Sequence, residues 1–507
     1  MKQRRRIVLI TTLIIALVLS GTLTVFGAKI TTTSAPTIKV MYDGNYIAFK
    51  DAAPKIIDGR TMVPFRQILE DMGTVVSFDN LTKTVLAKKG ITEFSFVIGG
   101  SDISIKENSV KSVKKMDVVP FLDKNTNRTY VSARFMAESL GYGVGWDGTA
   151  KVVVISDYEK LFANADTDFS ILNKLIATEI DPSKTYRTAG SFRTAVSTPA
   201  PSTDPTAKPM EYGMTGSIDA VQHKTDADIV MQLTVDAEKA IAAMPADQQA
   251  MARATFDTLK NMTIKMKMKM NGTDGLMYMN ANMFSMLDST IDQNTWMKMD
   301  IFKTYKDMGI DMKNILALST EKVSIGKLLT QYGLAAQTAD ANTYASVKAC
   351  YTLFKNLIGD QAFVQSKSGT TATYTLNITP ASVAAAIAKT GLTEGSTMSL
   401  SDIAEAINLI KQADFSGSLV FKTEKDKMTS YVMTGEYDAS GTIGSFDISG
   451  TPMNTNITMN FSMKGLMEMA MTMTSSIRET TEKVDLNLPQ GAKIVDYNTL
   501  IPPVKPL

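Results

Sequence analysis

The chain has 507 residues, with 53 Lys and Arg against 51 Asp and Glu and a formal charge of +2, so its overall field favours neither nucleic acid nor an anionic membrane surface as a partner. It holds one histidine, His223, and one cysteine, Cys350, whereas catalytic triads, most catalytic zinc sites and type-2 copper sites need imidazole, and a lone cysteine closes no intramolecular disulfide. The expectation is a non-catalytic chain of about two to four domains that carries no cofactor.

In chain order, MKQRRR precedes an apolar run from Ile7 to Leu19, and Gly27-Ala28 follow. That is the layout of a secretory signal over residues 1–28, with cleavage expected after Ala28. The alternative is an uncleaved anchor, because Ile7 to Phe26 reaches the ~20 residues that span a bilayer. Either way the protein is expected to be extracytoplasmic, secreted or held at the cell surface by its signal helix. Removing residues 1–28 takes away Lys2, Arg4, Arg5 and Arg6 and leaves the remainder slightly acidic.

A shift of 68 residues then superimposes RTMVPFRQILEDMGTVVSFD (60–79) on RTYVSARFMAESLGYGVGWD (128–147). Arg60, Thr61, Val63, Arg66, Glu70, Gly73, Val76, Phe78 and Asp79 fall on Arg128, Thr129, Val131, Arg134, Glu138, Gly141, Val144, Trp146 and Asp147. One supersecondary unit was built twice. In the first copy, apolar residues flank Asp43-Gly44 and Asp58-Gly59 as tight hairpin turns. Phe65, Ile68, Leu69 and Met72 share a helical face that Gly73 ends, and VVSFDNLTKTVLAKK alternates as a hairpin. Each copy reads as a small β-β-α-β-type module. Arg66 and Glu70, like Arg134 and Glu138, are spaced to pair along a helix for about 0.2–0.5 kcal/mol. Asp79 and Asp147 are expected to accept turn hydrogen bonds.

These motifs resemble the stalk domain, also known as the copper amine oxidase N-terminal domain-like family, over residues 36–158. The resemblance implies paired α+β modules on an exported protein. It implies no oxidase activity, since in amine oxidases the copper and quinone lie in another domain. A cell-wall polymer is the partner such repeats would meet, and Tyr142 and Trp146 are the aromatic candidates for that contact.

Residues 159–209 read as a helical connector, with Leu161, Phe162, Phe169, Leu172, Leu175 and Ile176 at helical spacing, followed by a Pro/Ser/Thr linker, TAVSTPAPSTDPTAKP. From Met210 to about residue 500, methionine becomes common. Met262, Ile264, Met266, Met268 and Met270 alternate with Thr263, Lys265, Lys267 and Lys269, which makes a strand with one apolar and one largely cationic face. Met277 and Met279, then Met297, Met299 and Ile301, continue the alternation as an antiparallel meander. Helical segments follow near 303–316, 321–333 and 343–358, with two more at ASVAAAIAKT and LSDIAEAINLIKQ, and the chain returns to alternating strands through LMEMAMTMTS. The expected fold class is α+β and multidomain, with a large antiparallel, half-barrel-like sheet covered by helices. Cys350 is expected to be a small buried hydrophobe on a helix, and His223 a surface residue in a loop.

The order of elements, with MYMNANMF and WMKMDIF as consecutive strands, is similar to LolA-like and LppX-like lipoprotein carriers. That resemblance implies a sheet closed by helices around an apolar cavity for acyl chains. The expected ligand-binding face is Met262, Ile264, Met266, Met268, Met270, Met277, Met279, Met297 and Met299, for a lipid or another hydrophobic ligand. Unbranched thioethers adapt to flexible chains. Three alternatives stand beside it: a structural or adhesion protein whose methionines fill a packed core, Cu(I) held by thioethers at Met266 to Met270 or Met467 to Met473, and a two-carboxylate cell-wall hydrolase for which no motif is present.

Overall fold

The computed structural model describes residues 38–107, 110–176, 181, 183–199, 208–270, 275–281, 291–307, 324–335, 343–390, 414–439 and 441–497. The expected signal segment lies outside the described residues.

The first region opens with β1 (Lys39–Tyr42) and β2 (Asn45–Tyr46), joined by Asp43-Gly44 at φ 48° and 80°. Then come β3 (Lys55–Ile57), a turn at Asp58-Gly59, β4 (Arg60–Pro64), α1 (Phe65–Asp71), β5 (Val75–Asp79) and β6 (Thr84–Lys89). A shift of 68 residues carries β4, α1 and β5 onto β11 (Arg128–Ser132), α2 (Ala133–Ser139) and β12 (Gly143–Asp147) without an offset. Between the copies lie β7 (Thr92–Val97), β8 (Asp102–Glu107), β9 (Val110–Lys115) and β10 (Phe121–Asp123); β13 (Val152–Ser156) closes the region.

Strands β4 and β11 pair antiparallel with Val63 directly opposite Val131, so a position meets its own repeat. Both valines are buried, at 0% and 2% exposure. The first strand, β1, runs parallel to the last, β13, so neither copy is complete alone. The turn chemistry follows the sequence. Asp79 accepts from the Leu81 amide and the Thr82 hydroxyl at 2.8 Å each, and Asp147 accepts from the Thr149 and Ala150 amides at 2.9 and 2.8 Å. Arg66 and Glu70 form the anticipated helix pair at 3.7 Å, half exposed, where such pairs contribute little.

Three short helices follow: α3 (Tyr158–Leu161), α4 (Ala165–Asp168) and α5 (Ser170–Ile176). The second region holds a 14-stranded sheet. Its first half is β14 (Thr185–Thr198), β15 (Met210–His223), β16 (Asp226–Asp236), helices α6 (Glu238–Ala243) and α7 (Ala246–Leu259), then β17 (Asn261–Met270), β18 (Gly275–Ala281) and β19 (Thr295–Asp300). Helices α8 (Ile301–Asp307), α9 (Ile325–Ala335) and α10 (Thr343–Ile358) intervene. The second half is β20 (Val364–Ser368), β21 (Thr371–Ile378), α11 (Pro380–Ala388), β22 (Asp414–Glu424), β23 (Lys427–Ala439), β24 (Thr442–Gly450), β25 (Asn454–Met463) and β26 (Met467–Thr480), with β27 (Lys493–Asp496) last.

Each half is a meander of consecutive antiparallel strands, and the two are sewn together where β26 pairs with β14. β27 adds in parallel to β19. Residues 185–198, expected as connector and linker, are instead a 14-residue central strand. The sequence hid it because TYRTAGSFRTAVST is mostly Thr, Ser, Arg and Ala. Threonine suits a pleated surface without adding hydrophobicity, and the prolines begin only at Pro199, after the strand ends. Ile301 opens α8 rather than continuing β19, and the helix expected at LSDIAEAINLIKQ lies outside the described residues.

The two regions meet at a buried polar joint. Asp157 pairs with Lys89 at 3.0 Å, accepts from the Lys160 amide at 2.9 Å, and donates its own amide to the Asp43 carboxylate at 2.8 Å. Lys160 reaches the other oxygen of Asp43 at 3.2 Å. Tyr344 of α10 packs beside Gly44, and burial, then Asp43 and Asp157, push its hydroxyl up to about 12. Buried carboxylates of this kind persist only when paired and hydrogen-bonded, so the joint is built as a fixed contact.

Candidate functional site

Registers place residues of one face in continuous rows across the large sheet. Leu376, Leu419, Met433, Ile448, Ile457, Met473, Phe192, Gly216, Leu233 and Met262 are successive cross-strand partners from β21 to β17. The neighbouring row on the opposite face is Asn377, Ser418, Thr434, Asp447, Thr458, Thr472, Arg193, Thr215, Thr234 and Asn261, polar throughout. One sheet therefore has one apolar and one polar face over ten strands, as period-two alternation requires.

Cover over the apolar face is uneven. At the β21–β24 end, Leu376, Phe421 and Met433 are at most 3% exposed and pack with Phe162 just after α3, Leu172 of α5 and Leu357 of α10. Tyr374 stacks on Phe421 at 4.9 Å between centroids. The helices are themselves capped across elements. Asp166 accepts from the Gly326 amide and the Ser324 hydroxyl at the start of α9, both at 2.8 Å, and Asp360 accepts from the Ile171 amide of α5 at 2.9 Å. At the seam of the two meanders the same face is only half-buried: Phe192 and Val196 on β14, Met469, Met471 and Met473 on β26, with Met459 of β25 38% exposed.

Glycines let aromatic rings lie flat on this face. A Cβ at Gly216 would sit 2.4 Å from the Phe192 ring, and one at Gly435 would sit 2.4 Å from the Phe446 ring. The rings thus cover cross-strand glycines and smooth the surface.

Eight of the nine expected binding residues lie on this apolar face but are divided by packing. Met266, Met268, Met277 and Met299 share a small core with Ala220, Ile229, Ile301 and Phe302, in which Met268 is 8% exposed. Ile264, Met279 and Met297 join a second with Ala281 and Ile291, in which Met297 is 3% exposed. Met262 continues the long row at half burial. Met270 sits at the end of β17 opposite Gly275. Sequence reasoning missed the seam residues. LMEMAMTMTS carried the signal as an alternating strand, but nothing in the text says that β26 lies beside β14.

On the polar face a shallow cleft of about 450 Å³ is lined by Arg193, Ser197, Glu211, Lys239, Asn460 and Glu468 among others. Lys239 is paired with Glu211 at 2.6 Å. Val196, Tyr212, Ile443, Phe461 and Met469 line it as well, so its walls mix charged and apolar groups. Among the described residues no group of three or more His, Cys, Asp or Glu could hold a metal ion. Cys350, expected to be buried, is exposed on α10, although its surroundings desolvate the thiol enough to push its pKa up. His223 ends β15 beside a hairpin turn, with Nδ1 3.3 Å from the Thr185 hydroxyl. Tyr142, expected as an exposed contact, is 5% exposed and covered by Lys89, while Trp146 is half-buried. The helix before them buries its apolar side against the sheet and draws Tyr142 inward.

Residues 41–155 match the family described as the copper amine oxidase N-terminal domain. No curated protein matches the chain. Similar solved structures include one titled "Lipid-protein interactions in lipovitellin", 8% identical over 62% of this chain and 27% of that chain, with a TM-score of 0.17. Others are a low-pH structure of Pseudomonas putida OprB, 5% identical over 62% and 96% with a TM-score of 0.14, and a mutant Rh. blastica porin, 6% identical over 58% and 99% with a TM-score of 0.12. The chain spans only 27% of the lipovitellin chain, and at these scores none of the three bears on fold or function.

Proposed function

We propose that this chain is an exported, non-catalytic envelope protein in which the repeat region presents a carrier-type, LolA-like domain, and that this domain binds an acyl chain or similar hydrophobic ligand. The ligand lies on the seam of the large sheet, across Phe192, Val196, Met459, Met469, Met471 and Met473. The observation that carries this reading is the ten-strand apolar row, fully covered by helices at one end and half-buried in the middle. Exposed contiguous apolar surface of that kind marks interaction sites. Thioethers adapt their shape to a flexible chain, and each buried methylene contributes about 0.8 kcal/mol before ordering costs. For β17–β19 the packed-core alternative is the better reading, because their methionines contact α8.

The repeat region acts as the presenting stalk, and the Asp43–Asp157 joint supports a fixed rather than a swinging attachment. No helix among the described residues is long and apolar enough to cross a membrane. In this reading residues 1–28 supply export and any anchoring. Native mass spectrometry of the protein purified from its own envelope tests it. Bound lipid is expected, with loss of that lipid in Met471→Lys. Absence of lipid together with no fluorescence gain from an apolar dye would refute ligand binding.

A further inference from the structure

We propose that the outward face of the β8–β9 hairpin is a binding surface for a linear, non-peptide polyanion, whose repeating phosphate or carboxylate groups meet Lys106, Lys111 and Lys115. This deepens the proposed stalk role, naming the partner's chemistry and the element that meets it, and it uses a sheet separate from the large one.

The sheet β5–β9 has one buried face, built by Phe94, Phe96, Ile103 and Ile105, which are 1–7% exposed. Its other face is open, and β9 is the edge strand with all six residues exposed. Register puts Lys106 of β8 directly opposite Lys111 of β9, and Lys115 opposite Asp102. Like charges directly opposite one another on a sheet are destabilising. Edge protection explains lysines on β9, where they discourage pairing with another chain. It does not explain Lys106, which is on the strand inside the edge. The next residue along that row, Glu93, lies opposite Lys106 and forms its ion pair with Lys88 at 2.9 Å, with Lys106 adding to the pull that lowers its carboxyl, so three lysines share one acid in this row, while Asp102 stands opposite Lys115.

Spacing selects the ligand class. Lys111 and Lys115 are four residues apart on one face, about 13 Å along a strand, too far for one small anion and suited to charges repeated along a chain. Val113 lies between them, 61% exposed, and Leu86 lies in the same cross-strand row at 46%. They offer apolar contact to the polymer's uncharged backbone. Lysine ammonium groups are compact point charges that tolerate varied anion geometry. The near-neutral charge of the whole chain conceals this local field.

The test measures binding of the purified protein to immobilised inorganic polyphosphate, polygalacturonate and poly-L-glutamate, at low salt and at 0.5 M salt. Polyphosphate, polygalacturonate or both should bind at low salt and release at high salt, as screened and counterion-driven contacts do. The better of the two names the anionic group. The triple variant K106Q/K111Q/K115Q should lose about tenfold or more in affinity, while K348Q/K389Q/K422Q binds as the parent does. Near-unchanged melting of both variants would show that folding is intact. Equal binding by the first triple variant, or no binding of either non-peptide polymer at low salt, overturns the proposal. Preference for poly-L-glutamate also overturns it, in favour of strand addition at the β9 edge. Bound lipid without polyanion affinity, or the reverse, separates this outcome from that of the carrier reading.

Discussion

Two methionine ladders in this protein have nearly the same text and different surroundings. β17 reads MTIKMKMKM and β26 reads MEMAMTMT, and both turn their methionines to the apolar face of one sheet. On β17–β19 Ile301 and Phe302 of α8 pack beside the ladder and Met268 is buried, while Met266, Met277 and Met299 are partly buried. On β26 it faces Phe192 and Met459 at the seam and stays half-buried. Alternation alone fixes which face is apolar. Whether that face becomes core or stays half-open depends on where the helices fall.

The largest expected effect lies at the covered end. Phe421→Ala empties a site with 0% exposure beneath Tyr374 and should cost about 3–5 kcal/mol in chemical denaturation. A loss near zero would mean that this end is no better packed than the seam. The ladders themselves come next. Met268→Ala should cost about 2 kcal/mol or more, and Met471→Ala under about 1 kcal/mol, since a half-buried side chain leaves no closed cavity. Equal losses would remove the distinction between core and surface.

Gly216→Ala sharpens the comparison at the seam. Its Cβ would meet the Phe192 ring at 2.4 Å and the Gln232 carbonyl at 2.7 Å, so a loss of about 1–2 kcal/mol is expected from the displaced ring. A melting temperature equal to the parent's would show that the ring does not rest on the glycine. Met471→Lys should leave stability within about 0.5 kcal/mol and abolish apolar-dye fluorescence, a readout that a packed core would not give.

The smallest effect is a pH dependence in the helix layer. Burial raises the Asp166 carboxyl, but hydrogen bonds from the Gly326 amide, Ser324 and Asn173 outweigh it and hold it below the usual carboxylate range. A depressed folded-state value gives stability that is present above the unfolded value, about 3.9, and is lost as pH falls through the folded value. Asp166→Asn should therefore lie slightly below the parent at pH 7, with the gap closing below about pH 4. A gap that persists in acid would assign the effect to packing instead.

Much of this was legible in the sequence because the information is local. Asp-Gly turns, the helix stop at Gly73, the Asx contacts of Asp79 and Asp147, and period-two methionines each depend on residues within a few positions of one another. Identity across the 68-residue shift reads as a duplicated unit, and residues 41–155, which span both copies, match one domain family. Tertiary structure alone decided the pairings between distant segments. It put Val63 opposite Val131, closed β1 on β13, and made a central strand of the polar run Thr185–Thr198 by seating it between β26 and β15. It also decided which methionines a helix covers and that Lys106 faces Lys111. Sequence sets each residue's local preference, but strand neighbours and cover follow from how surfaces hundreds of residues apart bury one another, and no local pattern encodes that choice.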